Sequence, residues 1–213
     1  MCHVSCIVFG VNNFSEAEIE NKRIIEIGSY QVNGSIRPIF EKYHPSEYIG
    51  VDIESGPGVD IICEAEYLTD KFGTECFNVV ICTEMLEHVR DWRTTIKNIK
   101  ELCKQDGLIF ISTRSFGFPY HAYPNDYWRY ELNDMKEIFS DCEIIILESD
   151  LQEPGVFLKV RKPANFAEND LSEISLYSIA ANKRIKELNN KHFRNFNYIK
   201  LVAKNILWKF IFN

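Results

Sequence analysis

Residues 77–83 (FNVVICT) and 108–113 (LIFIST) are two nearly unbroken apolar, β-branched runs, and no other feature narrows the fold so far. Side chains of a strand alternate between its two faces, so such runs need cover on both sides and belong at the centre of a sheet. Between them, DWRTTIKNIKELCK at 91–104 places Trp92, Ile96, Ile99 and Cys103 at helical spacing, and Lys104-Gln105-Asp106-Gly107 ends that helix.

The same alternation extends from about residue 15 to residue 162. RIIEI at 23–27 reads as a strand ending at Gly28, and 35–42 as a short helix. YIGVD at 48–52 is a strand closed by the turn-rich ESGPG, and VDIIC at 59–63 is another, followed by a helical EAEYLTDKF. After an aromatic and proline-rich loop from Ser115 to Tyr130 come a helix at 132–140 and strands at 143–148 and 155–162. Strands alternating with helices predict an α/β, doubly wound, mostly parallel sheet with helices on both faces. The closing pair of strands predicts an antiparallel element at one edge. Residues 1–19 read as an N-terminal cap segment, 20–162 as the main domain and 163–213 as a C-terminal helical appendage. Within that appendage, 162–170 looks like a linker, and 171–190 and 191–212 look like two helices.

Composition limits the function classes. Of the 213 residues, 46% are hydrophobic and 26% charged, which suits a soluble globular chain with a real core. The formal charge of −7 disfavours a nonspecific nucleic-acid binder, and no apolar run approaches the ~20 residues that span a bilayer. MCHVSCIVFG has no basic n-region and no small-x-small cleavage site, so no signal peptide is expected. Seven scattered cysteines, some within apolar runs, point to free thiols in a reducing cytoplasm. The last 23 residues hold five basic residues and no acid, leaving −12 on the first 190.

An open α/β sheet binds its ligand beyond the carboxyl ends of its strands. Glu26-Ile27-Gly28-Ser29 stands at one such end, where a glycine lets backbone approach a ligand, and Asp52 stands at the next, where an acid accepts hydrogen bonds from ribose hydroxyls. The succession IEIGSYQVNG, YIGVDIESGPGVDIICEAEYL, FNVVICTEMLEHV, DGLIFIST and HAYPNDYWRY resembles the class I S-adenosylmethionine-dependent methyltransferases. It is most similar to the methyltransferase-11-like enzymes often associated with glycan and cell-envelope biosynthesis, over roughly residues 20–162. The resemblance implies the seven-stranded, Rossmann-like methyltransferase sheet. It also implies S-adenosylmethionine as cofactor, with S-adenosylhomocysteine as product.

Carried over residue by residue, the resemblance puts Glu26, Gly28 and Ser29 against the methionine part of the cofactor and Asp52 on the ribose, with Ile53 on the adenine ring. Glu64, where the family usually has Asp, would meet the adenine amine beside Ala65, and Glu84 would face the transferring methyl. Tyr30 stands where the family's second glycine falls, so the loop at the methionine end is shaped differently; separately, Asn78 replaces a usual Asp.

An oxygen acceptor, or a protonated amine, needs a base, and an unperturbed imidazole titrates near the working pH at roughly 6.5. His121, on the loop after the fifth strand, is the first candidate; His88, at i+4 from Glu84, is the second. On the same loop Tyr123, Asp126, Tyr127 and Arg129 are candidate acceptor contacts, with Arg129 suited to a phosphate or carboxylate. Asp126 and Arg129 equally read as a brace for the loop. Cys2, His3 and Cys6 offer too few ligands for a metal, as does Glu84-x3-His88, so no metal is expected. The N-terminal segment is expected to fold over the cofactor cleft, with Cys2, His3 and Phe14 enclosing the acceptor. The basic tail carries Ile199, Val202, Ile206 and Phe210 on one face, widened by Trp208, Ile211 and Phe212; it either lies in a membrane interface or packs on the domain or a second subunit.

These residues point to a cytoplasmic methyltransferase acting on a hydroxyl or amine of a small-molecule or glycan-linked acceptor, not on nucleic acid, since no N-P-P-Y follows the fourth strand. Two alternatives stand beside it. One is a catalytically silent methyltransferase-like binding module. The other is an NAD-dependent oxidoreductase on a related sheet, disfavoured because no G-x-G-x-x-G follows the first strand.

Overall fold

The computed structural model describes residues 3–122 and 125–212, with side chains through Leu207. In chain order the strands are β1 (Arg23–Ile27), β2 (Glu47–Asp52), β3 (Ile61–Ile62), β4 (Phe77–Thr83), β5 (Cys103–Arg114), β6 (Trp128–Arg129), β7 (Glu143–Ser149), β8 (Gly155–Arg161), β9 (Leu176–Ser178) and β10 (Lys183–Ile185). The helices are α1 (Val4–Asn13), α2 (Glu16–Ile19), α3 (Arg37–Phe40), α4 (Leu68–Phe72), α5 (Trp92–Leu102), α6 (Leu132–Ile138) and α7 (Phe196–Phe212). Seven strands form one sheet in the order β3-β2-β1-β4-β5-β8-β7. Pairing is parallel from β3 to β5; β8 runs antiparallel to both β5 and β7, so the antiparallel strand lies one place in from the edge.

Alternation along the central strands divides the core in two. Ile25 and Ile27 of β1, Val80 and Cys82 of β4, and Ile109 and Ile111 of β5 meet Trp92, Ile96 and Ile99 of α5 and Met135 and Ile138 of α6. On the other face Ile24, Val79, Ile81, Leu108 and Phe110 meet Cys6 and Phe9 of α1, with Phe14, Ile36 and Phe40. Helix α5 is capped by Asp91, whose side chain accepts from the Thr94 amide at 3.2 Å and its hydroxyl at 2.7 Å. Residues 104–107 form the expected turn, but as a bulge within β5: Cys103 pairs with Phe77, and pairing resumes with Leu108 opposite Val79.

The described part of the N-terminal segment packs into the core. Phe9 stacks on Phe110 and Phe157 with centroids 5.3 and 4.7 Å away, Phe14 packs on Phe40, and buried Lys159 donates to the Asn13 carbonyl at 2.6 Å. Residues 171–190 are not a helix: β9 pairs with β10 and with β6, making a small antiparallel sheet over the loop that precedes α6. Arg93 of α5 fastens this sheet by donating to the carbonyls of Leu171, Ile174 and Lys186 at 2.8, 2.6 and 2.6 Å. The 162–170 stretch is likewise tied in, since buried Lys100 donates to Asp141 and to Asn169. Helix α7 forms as expected; Tyr198 faces the protein, while Phe196, Ile199, Ile206 and Leu207 are exposed. No helix among the described residues is long and apolar enough to cross a membrane.

Candidate active site

Register sets where the site falls. Ile27 lies level with Val51 and Cys82, and Thr83 with Ser112, so β1, β2, β4 and β5 end together. Beyond these ends lies a cleft of about 670 Å³, lined among others by Gly28, Tyr30, Asp52, Ile53, Glu84 and His88. Gly28 has φ 79°, and a Cβ there would stand 2.7 Å from the Met85 side chain, so only glycine fits this turn. Both Asp52 oxygens are oriented by backbone amides, from Tyr30 at 3.0 Å and Glu54 at 3.3 Å. The Tyr30 ring takes the room left by Gly56, where a Cβ would lie 2.0 Å from it.

At the end of β4, Glu84 adopts φ 53°, a conformation that costs a residue with a Cβ about 1–3 kcal/mol. This turn brings Glu84 and Met85 to the cleft wall and leads into the single helical turn of Leu86–His88. Burial pushes the Glu84 carboxyl up, with Cys6 and Glu87 adding to it, against buried Arg114, whose guanidinium donates to it at 2.6 Å.

Beside this turn, Glu87, His88 and His121 converge: one ligand atom from each lies within 4.8 Å of the others. Glu87 is fully buried; burial works to raise it, but His121 and His88 hold it down at about 2. Burial lowers His88, whose Nδ1 pairs with the Asn125 carbonyl. Burial also works to lower His121, yet Asp126, 3.1 Å from its Nδ1, and Glu87 raise it to about 9. Asp126 itself is held well below the ordinary carboxylate range against its burial, by Arg129 and His121.

A family profile for a methyltransferase domain matches residues 9–140, more than half of the chain. The chain belongs to this methyltransferase family. Ubiquinone biosynthesis O-methyltransferases from Glaesserella parasuis and Haemophilus ducreyi are 50% and 54% identical to it over 40 and 39 residues, which is 19% and 18% of this chain and 17% and 16% of those enzymes. The chain thus matches only about a sixth of the length of these curated relatives. Among solved structures, an S-adenosylmethionine-dependent methyltransferase from Mesorhizobium loti has the same fold, with a TM-score of 0.54, 15% identity, and 68% of this chain and 92% of that chain covered. So does the 1,6-didemethyltoxoflavin-N1-methyltransferase of Burkholderia thailandensis, solved with S-adenosylhomocysteine, with a TM-score of 0.55, 14% identity, and 75% and 76% covered.

The methyltransferase cleft brings together many of the residues expected from sequence: Gly28, Asp52, Ile53, Glu64, Ala65 and Glu84, with His88 and Tyr127. Others lie elsewhere. Glu26 does not reach the cleft, because alternation along β1 turns it to the opposite face from Ile27, where it accepts from the Tyr48 hydroxyl at 2.8 Å. Ser29 is buried beneath the turn against Gly50. Asp126 and Arg129 are 0% exposed and joined by hydrogen bonds of 2.5 and 2.8 Å, so they brace the loop and cannot touch an acceptor. His121 lies between Asp126 and Glu87, which favour its charged form. Tyr123 lies outside the described residues. Sequence reasoning missed Glu87 and Thr113; the acid-histidine doublet directly after a buried strand was the available signal for Glu87.

Proposed function

We propose that this methyltransferase acts on a hydroxyl of a small-molecule or glycan-linked acceptor. The observation that carries the reading is His88 in the cleft wall with Glu84 and Tyr127, and Glu87 and His121 clustered on it. A hydroxyl must lose its proton to be methylated, and a cluster of imidazoles and carboxylate next to the reacting end is the equipment for that. The local likeness to enzymes named ubiquinone biosynthesis O-methyltransferases supports oxygen over nitrogen.

The residues present fit the cofactor. Asp52 would hold the ribose hydroxyls; Ile53 and Ala65 offer apolar wall for the adenine, with Glu64 at its amine edge; and the Gly28 turn leaves room for the methionine end near Glu84. S-adenosylmethionine supplies, when bound, a methyl group on a sulfonium. This chain's share is positioning and exclusion of water, which can supply about 7–11 kcal/mol. Tyr127, half-buried against Phe193, is placed to hold a flat or sugar-like acceptor. The exposed apolar face of α7, flanked by Lys200 and Lys204, serves as a peripheral contact with an anionic lipid surface.

Turnover with methyl-labelled S-adenosylmethionine against a panel of phenols, catechols, sugars and amines tests the reading, with products identified by mass spectrometry. O-methyl products are expected. Methylation confined to the amines would overturn it.

A further inference from the structure

The C-terminal segment meets the cleft at Arg90. This side chain, exposed in the cleft wall, donates from Nη2 to the Leu188 carbonyl at 3.3 Å and to the Asn190 side chain at 3.2 Å. Its guanidinium also lies 5.4 Å from the centre of the Phe193 ring. The same ring packs on Tyr127, 5.9 Å away, so one aromatic side chain places two residues of the cleft wall. Tyr127 is fixed through its backbone as well, donating to the Glu87 carbonyl at 2.8 Å and accepting from the Ile179 amide at 2.9 Å.

Among the described residues, Nε and Nη1 of Arg90 donate to nothing and no carboxylate pairs with it. Arg37, Arg114, Arg129 and Arg184 each face a carboxylate. A guanidinium held by neutral acceptors keeps its full charge, and its side chain is already ordered before a ligand arrives. Arg90 is also the only Lys or Arg among the described residues that line the cleft. The rest of the wall carries Asp52, Glu54, Glu64, Glu66 and Glu84, which suit a cationic sulfonium and repel an anion. An anionic group entering the cleft therefore has one place to settle. That place is near the chemistry, because Arg90 stands two residues beyond His88, and their Cα atoms are at most about 7 Å apart.

We infer that Arg90 binds an anionic group of the acceptor, a carboxylate or phosphate carried a few bonds from the hydroxyl that is methylated. The subsite rests on the methyl-transfer reading of the same cleft and narrows its acceptor class. Arg129, which its sequence position suggested for this role, is buried on Asp126 and takes no part. A charge-assisted hydrogen bond from Nε or Nη1 fixes the anionic end, and the hydroxyl is thereby turned toward Glu84 and His88. The C-terminal segment acts in acceptor choice, since Leu188, Asn190 and Phe193 hold the guanidinium in the cleft wall.

Calorimetry on the full chain loaded with S-adenosylhomocysteine tests this with matched probes, catechol against dihydroxybenzoate and glucose against glucose phosphate. The anionic member of one pair is expected to bind at least ~10-fold tighter than its neutral partner, and the pair that responds tells carboxylate from phosphate. Arg90→Gln removes that preference, weakening the anionic probe roughly 10–100-fold, and Arg90→Lys restores part of it. Affinity for S-adenosylhomocysteine stays that of the parent in both variants. Anionic probes that bind no better than neutral ones, or a preference that survives in Arg90→Gln, would overturn the subsite. So would loss of S-adenosylhomocysteine affinity in an Arg90→Gln chain that melts as the parent does, because Arg90 would then hold the cofactor's own carboxylate. Binding is read without turnover, so methylation confined to amines strikes the hydroxyl reading and leaves this result standing.

Discussion

Glu26, 2% exposed in β1, accepts from the Tyr48 hydroxyl, and burial raises its carboxyl to about 7, opposed by Tyr48 and by the charge of Arg37. An unfolded chain releases this proton near 4.5, so between about pH 4.5 and 7 the folded protein binds more protons than the unfolded one. Stability therefore falls as pH rises through that window and levels off above it. Glu26→Gln keeps an oxygen for Tyr48 and has no proton to lose. It is expected to flatten this slope and to exceed the parent at pH 8 by as much as about 3 kcal/mol, at about 1.4 kcal/mol per pH unit. Urea unfolding at pH 5 and pH 8 reads both effects; an unaltered slope would show that Glu26 is not the group responsible. Arg129 gives the contrasting case. With its guanidinium on fully buried Asp126, Arg129→Ala takes away one of the carboxylate's two charged partners, leaving His121, and is expected to cost about 3–5 kcal/mol in unfolding measurements. From sequence, a charged pair on an aromatic loop looked equally like an acceptor clamp, because its cover comes from β9, some fifty residues later in the chain.

What was legible at the level of elements follows from how local the signal is. Strands β1 and β4 fall at 23–27 and 77–83 as read, because their β-branched runs end at Gly28 and begin after a polar turn. Residues 171–190 were misread as helix although Ile174, Leu176, Ser178 and Ala180 are all buried, a period of two. Their strand state depends on pairing with Trp128 and Arg129, a partner only two residues long that no local pattern announces. The packing of helix α1 was not legible for a similar reason: Cys6 and Phe9 form its buried stripe, but their partners Phe110 and Phe157 lie a hundred residues and more away. Phe9→Ala is accordingly expected to destabilise the protein by about 3–5 kcal/mol, read by chemical denaturation. Its affinity for S-adenosylhomocysteine, measured well below the transition, should stay that of the parent. A variant of parental stability that loses cofactor affinity would support the cap reading of this segment.

For the molecule as a whole, charge and apolar surface are distributed unevenly in a way that bears on where it works. The first 190 residues carry −12, while the last 23 carry +5 and include all of α7. Among the described side chains of the helix Tyr198 alone is buried, against Tyr120 and Phe193, while Phe196, Ile199, Ile206 and Leu207 are exposed. Exposed apolar rows beside lysines suit the headgroup region of an anionic bilayer, where each basic residue contributes about 1 kcal/mol. The acidic body would be repelled by the same surface, which would confine such contact to the tail. The full chain is expected to float with vesicles containing phosphatidylglycerol, to float less as salt shortens the screening length from ~10 Å at 0.1 M to ~3 Å at 1 M, and to stay in solution with neutral phosphatidylcholine. Ile199→Glu together with Ile206→Glu should abolish flotation while leaving turnover of a water-soluble acceptor intact. If the parent chain ignores anionic vesicles and light scattering instead reports a dimer that these substitutions dissociate, the uncovered face belongs to a second copy of the chain.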